Sequence, residues 1–79
     1  MTNVLEPIVT EYHMYYLDGC PYSMKAEELL KSKGLDYSKH TDLNMYQLKE
    51  KYGKTATFPR IYNKNNLIGG YDDLKKLMN

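Results

Sequence analysis

From Ile8 to Leu17 the chain is dense in β-forming residues: Ile8, Val9, Thr10, Tyr12, Tyr15 and Tyr16. Apolar character is nearly continuous towards the end of this run, as expected of a central strand covered on both faces. Asp18-Gly19 breaks it. From Pro21 to Lys33 the period changes. Ala26, Leu29 and Leu30 fall at i, i+3, i+4, while Lys25, Glu27, Glu28, Lys31 and Lys33 face water; this predicts a helix, with Gly34 as its left-handed cap. Leu35 to His40 reads as a short second strand. Asn44 and Gln47 have the offset of a capping box. A second helix follows on Met45, Leu48 and Tyr52 and is closed by Gly53.

Phe58 to Tyr62 reads as a strand with proline near its entry, where a lost donor is tolerable. Asn63-Lys64-Asn65-Asn66 predicts a turn, the asparagines taking left-handed angles. Leu67 to Gly69 returns as a short strand and completes a hairpin. Asp72 is the expected cap of a last helix, with Leu74, Leu77 and Met78 on its inner side. Met1 to Pro7 predicts only an extended lead-in. Strand–helix–strand implies a parallel pair with a right-handed crossover, and the hairpin adds an antiparallel pair. The expected class is α/β: a mixed sheet with helices on both faces, in a single domain over residues 1–79.

Composition narrows the function. A chain of 79 residues buries only about 60% of its unfolded surface. It holds one cysteine and two histidines, so no internal disulfide can brace it, and His13 and His40 show no ligand spacing with Cys20. We expect both histidines to be structural or exposed. Packing must carry the fold, and nine tyrosines supply much of its bulk. The formal net charge is +1 with lysines and acids interspersed, which predicts neither nucleic-acid binding nor a membrane-binding face. Met1 to Tyr16 lacks a basic start followed by an apolar core, so no signal peptide is expected. A lone cysteine fits a reducing compartment; the expected location is cytoplasmic.

Cys20-Pro21-Tyr22-Ser23 is the chemical centre of the sequence. A proline directly after the cysteine suits the first helical turn, which sets Cys20 at a helix N-terminus. Unpaired N–H groups and the positive end of the helix dipole favour thiolate there, although Asp18 opposes it by like charge. The thiolate is the nucleophile of disulfide exchange. Ser23 stands where a Cys-x-x-Cys motif has its second thiol and cannot resolve a mixed disulfide; it could also satisfy first-turn N–H groups. Around Thr57-Phe58-Pro59 a main chain turned outward could pair with an extended peptide. Gly69-Gly70 allows close backbone approach. Asp72 and Asp73 could hold an amine, and Arg60, with Lys54 nearby, could hold carboxylates. Lys49, Lys51 and Lys54 read as a solvated helix end.

Cys20-Pro21-Tyr22-Ser23, Thr57-Phe58-Pro59-Arg60-Ile61-Tyr62 and Gly69-Gly70-Tyr71-Asp72-Asp73-Leu74, in that order, resemble the three signatures of the glutaredoxins. The resemblance spans about Val9 to Met78. It implies a thioredoxin-like fold, a four-stranded mixed sheet flanked by three helices, and glutathione-dependent thiol–disulfide exchange. It implies Cys20 as nucleophile, a cis Pro59, and Phe58 pairing its main chain with the glutathione cysteine. Asp72 and the N–H of Tyr71 would take the γ-glutamyl end, while Tyr22 and Arg60 would line the groove. Thr57, Gly70 and Asp73 complete the implied glutathione site.

Ser23 departs from the dithiol members, as a natural monothiol or as a Cys-to-Ser replacement of one. The implied function is reduction of protein–glutathione mixed disulfides by a monothiol route, with glutathione as co-substrate, glutathionylated proteins as partners and a monomeric state. The rival is a dimeric carrier of a [2Fe–2S] cluster ligated by Cys20 and glutathione. Cluster-handling monothiol members carry glycine and phenylalanine where Pro21 and Tyr22 stand, which favours the catalytic reading.

Overall fold

The computed structural model describes residues 11–79; the expected lead-in and the start of the first strand lie outside the described residues. The elements are β1 (Tyr12–Tyr15), α1 (Pro21–Ser32), β2 (Tyr37–His40), α2 (Met45–Tyr52), β3 (Arg60–Asn63), β4 (Asn66–Gly69) and α3 (Tyr71–Met78). The sheet order is β2-β1-β3-β4. β1 and β2 are parallel, and the other two pairs are antiparallel. This is the expected four-stranded mixed sheet with three helices, with β1 in its interior.

Strand alternation divides the core in two. Met14 of β1 and Ile61 of β3 point to one face, where Ala26 and Leu30 of α1 and Leu74 of α3 meet them; all five are fully buried. Tyr15 points to the other face, against the cluster of Leu48, Ala56 and Phe58, which Leu17, Cys20 and Tyr52 also join. The eight residues of α2 are too few to hold a helix alone. Two features fix it. Leu48 is fully buried, so truncating it to alanine would cost ~2–5 kcal/mol. The capping box is also complete: Gln47 N–H donates to Asn44 Oδ1 and Asn44 N–H to Gln47 Oε1, both at 2.8 Å. At the β2 edge the Tyr37 hydroxyl donates to Glu27 Oε2 at 2.5 Å, and Lys39 Nζ stands 3.1 Å from the same oxygen, tying strand to helix.

Local expectations hold where the cause is local. Gly34, beyond α1, has φ of +69°, as its cap role requires. Others are corrected. β2 begins at Tyr37 rather than Leu35, and β3 at Arg60 rather than Phe58. In the hairpin turn the left-handed residue is Lys64, at φ +57°, not an asparagine. α3 starts one residue after Gly70, which is its N-cap, not Asp72. Leu77 is 57% exposed, because Leu74 and Met78 already fill the space over the sheet.

Candidate active site

Three segments converge at the end of the sheet where β1 ends and α1 begins. At the first, Gly19 takes φ of +82° and the chain turns back, so that Cys20 N–H donates to the Leu17 carbonyl at 3.1 Å. Cys20 is the N-cap of α1, in extended conformation, with Pro21 directly following. Its carbonyl accepts the N–H of Met24 at 3.0 Å. The sulfur is therefore held beside first-turn N–H groups that have no helical acceptor. Partial burial pushes the Cys20 thiol up. The nearby polar hydrogens of Ser23, from its N–H and then its hydroxyl, and of the Tyr22 N–H outweigh that by favouring the thiolate, leaving it below the ordinary thiol range. Hydrogen bonds to the charged form have this effect.

Ser23 is fully buried, and its role is wider than capping. Its Oγ accepts the Leu17 N–H at 3.3 Å, reaching back outside the helix to the strand exit. A hydroxyl has one donor and two acceptor sites. It can thus bind the Leu17 N–H while its proton points at the Cys20 sulfur.

The second segment leads into β3. The Phe58–Pro59 peptide is cis, and Phe58 and Pro59 are buried beneath exposed Thr57. This segment is braced by Lys49, whose ammonium donates to the carbonyls of Lys54 and Ala56, both at 2.9 Å. Lys49 is therefore not merely part of a solvated helix end. Sequence reasoning missed this tether, and only the basic residue in the last turn of α2 hinted at it.

The third segment opens α3. Gly69 has φ of +125°, and a Cβ there would collide with the Asp73 carboxylate. That carboxylate accepts the Gly70 N–H at 3.1 Å. A Cβ on Gly70 would stand 3.6 Å from the Pro59 carbonyl, so the two segments lie side by side. Both aspartates are exposed, but Asp73 is engaged in capping the Gly70 N–H.

Between these segments runs an open groove of about 480 Å3, lined by Tyr22, Thr57, Phe58, Pro59, Gly70, Tyr71, Asp72 and Asp73, with Met45 as an addition no sequence signal marked. Met45 is 37% exposed because it opens α2 instead of packing under it. Tyr22, 54% exposed, leans towards Tyr71 with ring centroids 6.4 Å apart. Cys20 is not among the lining residues; it is half-buried and packed on the cluster that contains Phe58. Arg60 is placed elsewhere. Its Nε donates to the Tyr62 hydroxyl at 3.0 Å and its guanidinium lies 4.3 Å from the Tyr52 ring centroid. β3 alternation puts it on the α2 face instead of in the groove. Among the described residues no group of three or more His, Cys, Asp or Glu side chains could hold a metal ion, and no helix is long and apolar enough to cross a membrane.

The sequence model of the glutaredoxin family matches residues 11–68. Glutaredoxin 1 of Rickettsia bellii is 41% identical over 71 residues, covering 81% of this chain and 72% of the relative. Among solved structures, glutaredoxin 1 from Francisella tularensis superposes with a TM-score of 0.74 at 21% identity, over 85% of this chain and 90% of that one. A buckwheat glutaredoxin–glutathione complex gives a TM-score of 0.69 at 19% identity, over 86% of this chain and 67% of that one. The thioredoxin-like fold expected from the sequence is thereby shared with known glutaredoxin structures. With a family match across most of its length and a relative at this identity, the chain belongs to the glutaredoxin family, and family and fold together support a thiol–disulfide oxidoreductase.

Proposed function

We propose that the protein reduces protein–glutathione mixed disulfides by a monothiol mechanism, with glutathione as co-substrate. The observation that carries this reading is the placing of Cys20. The chain's one cysteine is held at the head of α1, its thiol lowered by polar hydrogens of Ser23 and Tyr22, two residues from the Tyr22 wall of a groove with an exposed carboxylate at Asp72. Glutathione matches such a groove: an amine for Asp72, extended main chain for the Phe58 segment, and a central sulfur for Cys20. The buckwheat relative's complex with glutathione supports the same ligand.

In the first step the Cys20 thiolate attacks the glutathione sulfur of the mixed disulfide. The S–S bond breaks, the substrate thiolate leaves and takes up a proton, and Cys20 is bonded to glutathione. The thiolate of a second glutathione then attacks the bound glutathione sulfur and expels Cys20 as thiolate, giving oxidised glutathione. A low thiol pKa helps twice, raising the thiolate fraction and making Cys20 a better leaving group. Holding the three sulfurs in line supplies the rest. Ser23 cannot intercept the intermediate, so the cycle depends on glutathione. We place this chemistry in the cytoplasm, with the protein as a monomer. No observation favours the cluster-bridged dimer. Turnover of a glutathionylated peptide by reduced glutathione tests the reading: the Cys20→Ser variant should have none, and retained turnover would sink it.

A further inference from the structure

The groove assigned to glutathione carries side-chain charge of one sign. Among the described residues its lining holds two carboxylates, Asp72 and Asp73, and no lysine, arginine or histidine. Residues 1–10 contain none of these three either. The cations expected to meet a carboxylate are placed elsewhere. Arg60 is bonded to Tyr62 and stacked on Tyr52. Lys54 is not part of the lining, and the Lys49 ammonium is committed to two carbonyls. Lys25 lies over the Tyr22 ring, 5.3 Å from its centroid, and lines a neighbouring crevice with Glu28.

Glutathione has one amine and two carboxylates, one at each end. The γ-glutamyl end is served at α3. Asp72 matches the amine, and the first N–H groups of α3 have no helical acceptor, so the adjacent carboxylate meets partial positive charge. The glycine carboxylate lies at the opposite end of the ligand. A Cβ on Gly70 would stand 3.6 Å from the Pro59 carbonyl, and Tyr22 leans towards Tyr71, so Pro59 and Tyr22 belong to the α3 end. Exposed Thr57 and Met45, the first residue of α2, are left to form the other. Met45 presents a thioether there, a weak acceptor without charge. The capping box takes the Gln47 N–H, so the head of α2 offers the N–H groups of Met45 and Tyr46 only, a partial charge at most. A glycine carboxylate set against Met45 thus loses water without gaining a counter-ion. An amide loses less, because desolvation weighs most on charge.

We propose that the groove prefers thiol tripeptides whose glycine carboxyl is converted to an amide, including glutathione extended through that end, and that Met45 sets this preference. The inference rests on the glutathione reading above and narrows its ligand class. Free glutathione remains a ligand, the weaker of the two.

Titration of the full chain with S-methylglutathione and with its glycine amide, followed by backbone amide NMR shifts, reads the preference without disulfide chemistry. The amide should bind about twofold or more tightly than the free acid, since one uncompensated charge at an exposed site has effects of this size. Met45→Lys supplies the missing cation at a position already 37% exposed. It should tighten the free acid about two- to fivefold, the range of an exposed ion pair, and leave the amide nearly unchanged. Met45→Gln, of similar length and uncharged, should keep the parent order. A parent that binds the free acid as tightly as the amide, or binds neither, overturns the proposal whether or not the variants fold. So does a folded Met45→Lys chain with the parent's ratio. Binding of both ligands without turnover of a glutathionylated peptide overturns the monothiol reading instead, and the ratio still decides the preference.

Discussion

Replacing Ser23 by alanine separates two roles that one hydroxyl performs. The oxygen accepts the Leu17 N–H at 3.3 Å, and the hydroxyl is one of the donors that lower the Cys20 thiol. Ser23 is fully buried, so alanine leaves the half-buried Leu17 N–H without that acceptor. An unsatisfied donor costs ~1–3 kcal/mol. The long bond and the partial burial of Leu17 place this loss in the lower half, about 1–2 kcal/mol. For a domain of this size each 1 kcal/mol shifts Tm by roughly 4–8 °C, so thermal unfolding should move down by about 4–16 °C. The second effect is chemical. Without the hydroxyl proton the Cys20 thiol moves up towards its ordinary range, although the Ser23 and Tyr22 N–H groups remain.

The sign for stability follows. Cys20 has a lowered thiol in the folded state, so its contribution is fully present above the unfolded thiol pKa and is lost as pH falls through the folded value. Ser23→Ala should shrink that pH-dependent part, and blocking Cys20 by alkylation should remove it. The assay is the rate of alkylation by iodoacetamide against pH, with thermal unfolding alongside. An alkylation midpoint unchanged from the parent would refute the role of the hydroxyl, whatever happens to Tm.

Two other predictions test the frame around the site. Lys49→Met keeps the aliphatic stem but removes the tether to the Lys54 and Ala56 carbonyls; because Lys49 acts through the Thr57–Pro59 segment, KM for glutathione should rise several-fold with kcat nearly unchanged, and a fall in kcat alone would contradict this. Tyr37→Phe removes the donor to Glu27. The Tyr37 hydroxyl, then Lys39, holds the Glu27 carboxyl below the usual range against the opposing effect of burial, while burial and then Glu27 push Tyr37 up to about 12. A lowered carboxyl contributes stability above its unfolded pKa that is lost as pH falls through the folded value. The variant should therefore lose about 1–2 kcal/mol at neutral pH, at the lower end for a charge-assisted bond, and less in acid; equal losses at both pH values in urea titrations would refute the assignment.

What the sequence made legible was set by how local each cause is. The Asn44–Gln47 box and the Gly34 cap depend on residues three or four apart, and both stand as read. The start of α3 was misplaced because Asp72 and Asp73 are both acceptable caps. The choice fell to Gly69, whose φ of +125° lets the Asp73 carboxylate fold back under Gly70. Arg60 and Lys49 were misjudged for a different reason. Each charge finds its partner outside its own element but nearby in the chain: Arg60 on Tyr52 of the preceding helix, and Lys49 on carbonyls of the loop just beyond its own helix. Register also joined His13 and His40, which are 27 positions apart in sequence.

The most direct test of the central claim is intact mass after incubation with oxidised glutathione. The account requires one added glutathione, carried on Cys20, absent in Cys20→Ser and removed by reduced glutathione. A chain whose mass does not change while its Cys20 remains reduced and folded would contradict it.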